Sequence, residues 1–225
     1  AERLVAQADE LEQLARSRRG EVSGQLRVGV NNQGFGLRLE QVARVLLDRH
    51  PRLQLIFENG SSGAFIRNLH GGDLDVAFIQ GEVDKAAFAT KHIMQVESVI
   101  IAARALAGEL EAGGWEAIAR QPWVFVTRDC SYYRLMQEME REHGFSLNKR
   151  FREEDALGML RLVESGLALS MMDRERIRAE GFEQSLSIWD GFSRLQPVNL
   201  ACRKPRANEP GIRAFFEACG AVHAA

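Results

Sequence analysis

Three short polar segments carry the side chains that could recognise a small molecule. Asn31, Asn32 and Gln33 follow an alternating run, Leu26, Val28, Val30, and precede a Gly-broken turn at Gly34 and Gly36. Each of their amides can both donate and accept a hydrogen bond. Ser61 and Ser62 stand in the turn Gly60-Ser61-Ser62-Gly63, before an amphipathic run. Thr127, Asp129, Cys130 and Ser131 fill a third polar turn, after the apolar run Trp123–Val126. A strand that ends in such a turn and opens a helix presents free backbone N–H groups, which suit an anion or a hydrogen-bond acceptor. The plain alternative at each place is a polar connection or a helix cap that binds nothing.

Other chemistry finds little support. His50, His70, His92, His143 and His223 are scattered without ligand or triad spacing. Cys130, Cys202 and Cys219 are far apart and odd in number, which argues against a disulfide framework and for a reducing, cytoplasmic setting. No Cys-x-x-Cys or Cys/His spacing suggests a metal. Ser131 lacks a Gly-x-Ser-x-Gly context, and the turn at Gly34 and Gly36 lacks the third glycine of a dinucleotide fingerprint. No cofactor and no catalytic group is expected. Cys130 is either a small packing residue or, at a helix N-terminus, a thiol inclined to ionise.

The elements that position these residues follow from periodicity. Leu4, Ala8, Leu11 and Ala15 trace a short heptad seam on a polar helix over about residues 2–19, closed by Gly20. A strand at Gly24–Val30 leads to a helix from about Leu37 to Arg49, which His50-Pro51 ends. Leu53, Leu55 and Phe57 alternate as a second strand. A helix carrying Phe65, Ile66 and Leu69 closes at Gly71-Gly72, and Leu74–Ile79 is a third strand that ends beside Gln80. Strand and helix alternation of this kind gives a βαβαβ unit with parallel strands.

The theme repeats farther on. Phe88–Met94 and Ser98–Ala103 read as two strands, with a helical pattern around Trp115–Ile118 after them. Trp123–Val126 is a strand, and Ser131–His143 a helix stopped by Gly144. Phe151 ends a short strand. Asp155 caps a helix that Gly166 ends, Leu167–Met172 is a strand, and Asp173 caps the next short helix. Val198–Cys202 is a late strand, and the last helix starts near Glu209 with Asn208 as its cap. Two α/β halves in series place the three polar turns and Gln80 at strand carboxyl ends, where open sheets bind ligands. The formal net charge of −2 offers nucleic acid no global attraction. No run reaches the length of a membrane span, and no secretory leader is read at Ala1-Glu2-Arg3-Leu4.

The order Gly24-x-Leu26-Arg27-Val28-Gly29, His50-Pro51-x-Leu53-x-Leu55, Gly60 and Gly72-Asp73-Leu74-Asp75-Val76-Ala77-Phe78 resembles the effector-binding domain of LysR-type transcriptional regulators. Cys130-x-Tyr132-x-Arg134, Val163-x-x-Gly166-Leu167-Ala168-Leu169 and Ile212-Arg213-Ala214-Phe215-Phe216 continue the likeness to the end of the chain. The resemblance implies a periplasmic-binding-protein-like fold of type 2, α/β, with two Rossmann-like subdomains joined by two crossover strands near 94–97 and 201–205. On that reading residues 1–22 are the end of a linker helix, 23–95 plus 204–225 one subdomain, and 96–203 the other. It implies a homodimer or homotetramer and a small effector in the inter-subdomain cleft. DNA would be bound through a winged helix-turn-helix that this chain lacks, and RNA polymerase is a further partner. The implied effector contacts are Asn31, Asn32, Gln33, Ser61, Ser62, Gln80, Thr127, Asp129, Cys130 and Ser131. The chain departs from the family at Gly36-Leu37-Arg38 and at Asp173, where members usually carry proline. It also carries Met139 near where a second peroxide-sensing cysteine would fall, so no disulfide switch is expected. A free-standing solute-binding protein of the same fold, or a hydrolase using Cys130 or Ser131, are the rival readings.

Overall fold

The structure, a computed structural model, describes residues 22–31 and 36–224. The expected linker helix therefore lies outside the described residues, apart from Val22. The described residues fall into two compact units. One comprises those up to Gly60, Ala64–Met94 and those from Val198 onward; the other comprises Ser61–Gly63 and Gln95–Pro197.

In the first unit β1 (Gly24–Val30) lies parallel to both β2 (Leu53–Asn59) and β3 (Val76–Gln80). Helices α1 (Leu39–Arg49) and α2 (Ser62–Gly71) make the connections between these strands. This is the βαβαβ unit that the periodicity predicts. Leu26, Val28 and Val30 are at most 3% exposed, as a strand alternating onto a core demands. Gly29 lets α2 approach β1 closely. A Cβ there would stand 2.8–2.9 Å from Leu74, Ala77 and Phe65. Phe57, which alternates with Leu53 and Leu55, is 43% exposed on β2, the edge strand of the order β2-β1-β3-β8.

Helix α1 starts two residues later than its apolar pattern suggests. Arg38 adopts a left-handed conformation (φ 48°) and offers α1 no side-chain cap. Its guanidinium instead donates to the Val222 carbonyl at 3.1 Å, in α7 (Pro210–His223), and His223 Nε2 lies 3.1 Å from the Leu37 carbonyl. The expected Asn208 cap of α7 is replaced by Glu209, whose carboxylate is drawn to Arg206 at 2.7 Å.

Two long strands run from one unit into the other. β4 (Phe88–Ala103) is one 16-residue strand where the sequence reads as two, because Gln95-Val96-Glu97 stays extended. Glu97 is satisfied there by Arg174 at 2.6 Å and Ser193 at 2.6 Å. β8 (Leu186–Arg203) reaches twelve residues further back than expected, through Gly191 and Pro197, residue types that weaken strands. It enters antiparallel to β3, with Ala77 opposite Ala201 and Gln80 opposite Val198.

The second unit contains α3 (Ala107–Arg120), β5 (Pro122–Phe125), α4 (Ser131–His143), β6 (Asn148–Arg152), α5 (Ala156–Glu164), β7 (Ser170–Asp173) and the short α6 (Arg174–Ala179). β5 and β6 are parallel, and β7 is antiparallel to β4. Trp123 is fully buried at the centre, its indole N–H donating to the Ile118 carbonyl at 3.0 Å. α4 buries Leu135, Met136 and Met139, and Gly144 ends it in the left-handed region (φ 69°) as predicted. Asp155 caps α5, accepting from the Gly158 amide at 2.9 Å.

Candidate functional site

In the first unit the parallel course of β1 and β3 brings their carboxyl ends to one edge of the sheet. Asn31 follows β1, and Gln80 closes β3. Asn31 Nδ2 donates to Gln80 Oε1 at 3.4 Å, and Gln80 is only 4% exposed. Sequence reasoning missed Asn199. It lies opposite Ile79 in β8 and donates to the Gly81 carbonyl at 3.4 Å. Only the antiparallel entry of β8 reveals it, and no local pattern announces that. Asn32 and Gln33 lie outside the described residues.

In the second unit β5 delivers the loop Val126–Cys130 to the start of α4. The Cys130 amide donates to the Thr127 carbonyl at 3.0 Å, which closes the turn. Thr127, Asp129, Cys130 and Ser131 are all partly buried. Ser61 and Ser62 group with this unit, and the neighbouring Gly63 amide donates to the Asp129 carbonyl at 2.8 Å. A Cβ on Gly63 would lie 2.9 Å from both Cα and O of Asp129, so only glycine fits this approach. Ser61, Ser62, Thr127, Asp129, Cys130 and Ser131 thus belong to one unit, and Asn31 and Gln80 to the other.

Cys130 occupies the N-cap position of α4 and makes no cap hydrogen bond. Cys130 therefore gives α4 no side-chain oxygen cap such as Asp155 gives α5. Of the two readings of Cys130, the surroundings favour the packing residue over the ionised thiol. Burial pushes the Cys130 thiol up to about 11, and the negative charges of Glu154 and Asp173 add to the rise, against a weaker opposing pull from the Tyr132 amide. Desolvation outweighs the helix N-terminus here.

Asp173, expected to cap α6, turns inward instead. Its carboxylate accepts from Ser98 Oγ at 2.9 Å, and Ser98 also lies 3.1 Å from Gln196 Oε1. The Asp173 amide donates to the Tyr132 hydroxyl at 3.1 Å. Burial and then the Asp173 charge hold that hydroxyl well above its ordinary value. A polar network of Ser98, Tyr132, Asp173 and Gln196 therefore lies under the start of α4. Asp173 is the place where the sequence departs from the family's proline, and that departure was its one visible signal. Among the described residues no cluster of three or more His, Cys, Asp or Glu could hold a metal ion, and no helix is long and apolar enough to cross a membrane.

Comparison with known proteins fits this architecture. Residues 19–224 match the family model of the LysR substrate binding domain, and the chain belongs to that family. It is the effector-binding domain of a LysR-type regulator. The HTH-type transcriptional regulator YofA of Bacillus velezensis is 22% identical over 206 residues, covering 89% of this chain and 69% of that protein. YofA of Bacillus subtilis is 23% identical over 189 residues, covering 84% and 63%. The chain thus spans about two thirds of the length of these relatives. Among solved structures, the effector binding domain of QuiR in complex with shikimate superposes with a TM-score of 0.73 at 15% identity, covering 90% of this chain and 98% of that one. The CcmR regulatory domain of Synechocystis PCC6803 in complex with 2-PG gives 0.75 at 14%, covering 89% and 98%. At these identities the likeness establishes the periplasmic-binding-protein-like fold of type 2.

Proposed function

We propose that this domain senses a small polar effector bearing a carboxylate or similar anion, on behalf of a cytoplasmic regulator that binds DNA through an N-terminal winged helix-turn-helix. The proposed contacts are Asn31, Asn32, Gln33 and Gln80, with Ser61, Ser62, Thr127, Asp129, Cys130 and Ser131. One observation carries the anionic class. Cys130, at the N-cap of α4, makes no side-chain cap hydrogen bond, whereas an oxygen-bearing residue ordinarily caps a helix N-terminus. An effector oxyanion supplies that missing acceptor. The effector acts by population shift, binding one dimer or tetramer geometry better than another.

A thermal-shift screen against small organic acids tests this reading. A ligand selective for the folded state adds about 2.7 kcal/mol of stability at a hundredfold excess over Kd. The shift should vanish in Asn31→Ala and in Thr127→Ala, with the ligand-free melting temperature little changed. The assignment is refuted if no organic acid in the screen gives a shift that both substitutions abolish. In the full-length regulator the same ligand should change oligomer geometry on DNA, and no change would defeat the switching mechanism.

A further inference from the structure

The first unit carries a concavity beyond the amino end of β3. Gln80 lies opposite Val198, so β8 runs five residues, about 16 Å, from that level to Arg203. Arg203 therefore stands beyond the amino end of β3, away from Asn31 and Gln80. There His70, Ala86, Ala87, Arg203, Lys204 and Pro205 line an open cavity of about 490 Å³. That is within the size of small-molecule sites, roughly 300–1,000 Å³.

Its walls are built rather than incidental. The Lys204 amide donates to the Ala87 carbonyl at 3.0 Å, and Lys204 Nζ to the Lys85 carbonyl at 3.0 Å. Arg203 Nη1 donates to the His70 carbonyl at 3.4 Å, and the His70 ring meets Phe88 edge-on at 4.8 Å. Yet among the described residues neither Arg203 nor Lys204 pairs with a carboxylate. Arg206, three residues on, is paired twice, with Asp75 at 2.8 Å and Glu209 at 2.7 Å. The acid nearest in sequence to Lys85, Asp84, is committed to its own turn, accepting from the Ala86 amide at 2.9 Å. Two adjacent cations held on carbonyls repel each other and keep most of their N–H donors for a ligand. Ala86, Ala87 and Pro205 form the apolar part of the lining.

We propose that this concavity binds a small organic oxyanion, an anionic head on a compact apolar body, at a site separate from the effector contacts. Arg203 and Lys204 hold the oxyanion, and the alanine and proline side chains cover the body. Two cations in one concavity are too few to track a nucleic-acid backbone, where each neutralised phosphate needs its own. The inference does not depend on the effector reading.

The test is an amide NMR titration of the 225-residue chain with sodium benzoate and with sodium phosphate, against sodium chloride at equal ionic strength. The Ala86, Ala87 and Lys204 amides should shift saturably with benzoate, less strongly with phosphate, and not with chloride. Arg203→Gln/Lys204→Gln should weaken benzoate binding at least about tenfold, while Asn31→Ala leaves it unchanged. Should the double variant fold poorly, Arg203→Gln alone, which gives up one long hydrogen bond, must still weaken binding. Linear shifts, equal shifts with chloride, tighter binding of phosphate than benzoate, or unaltered affinity in the Arg203 variants would overturn the proposal.

Discussion

The two thiols in the core of the first unit should make this protein unusually sensitive to alkali. Cys202 and Cys219 are both fully buried. Burial pushes Cys202 from 9.0 to about 11, with Arg206 opposing and Glu209 adding to the rise. Burial pushes Cys219 from 9.0 to about 12, with Lys91 opposing. Below pH 9 both are protonated whether the chain is folded or not, and the contribution is pH-independent. Above it the unfolded chain gives up these protons while the folded one keeps them. Stability then falls with rising pH, by about 1.4 kcal/mol per pH unit for each thiol. The fall for Cys202 ends near pH 11 and that for Cys219 near pH 12, so the loss at pH 11 is on the order of 5 kcal/mol. Urea unfolding under reducing conditions at several pH values from 8 to 11 reads this slope. Cys202→Ala/Cys219→Ala will shift stability by a constant below pH 9. Its steeper signature is a flatter slope above pH 9, by up to about 2.7 kcal/mol per pH unit. Parallel slopes for wild type and variant would refute the claim that these thiols are held neutral by desolvation.

Two further outcomes follow from the second unit. Cys130, raised from 9.0 to about 11, should react with iodoacetamide at neutral pH on the order of tenfold more slowly than a free thiol of ordinary acidity, since the scarcer thiolate is only partly offset by its greater nucleophilicity; mass-spectrometric rates comparable to an unfolded control contradict this. Gly63→Ala drives a Cβ to 2.9 Å from the Asp129 backbone, and should cost about 1–3 kcal/mol in chemical denaturation, whereas a variant as stable as wild type shows that the Gly63 amide does not hold Asp129.

What the sequence disclosed, and what it hid, divides by the range of the interaction. α4 begins at Ser131 and ends at Gly144 as read, because its apolar stripe and the left-handed glycine are local properties. Asp155 caps α5 for the same reason: its acceptor and the Gly158 amide are three residues apart. Asp173 has the same residue type and the same place before a helix, yet its carboxylate leaves the helix for Ser98, 75 residues away. Propensity favours the cap at both positions. A buried hydroxyl facing the carboxylate decides the second against it, because an unmet buried polar group costs more than an absent cap. Gly191 and Pro197 fall under the same division. They weaken a strand locally, and β8 forms through them because its neighbours in the sheet hold it.

The candidate site follows this division. Asn31 and Gln80 were reachable because parallel strands joined by short helical crossovers end at one edge, a rule that needs only strand order. Asn199, Ser98 and Gln196 were not, because they come from β4 and β8, strands that enter their sheets antiparallel from distant sequence. Cys130 shows the same limit in electrostatics. Its helix position, visible in sequence, argues for a thiolate, and the burial and the acidic neighbours that reverse the sign exist only in the fold. Chemistry assigned from position alone therefore fails where the surroundings of a side chain set its charge.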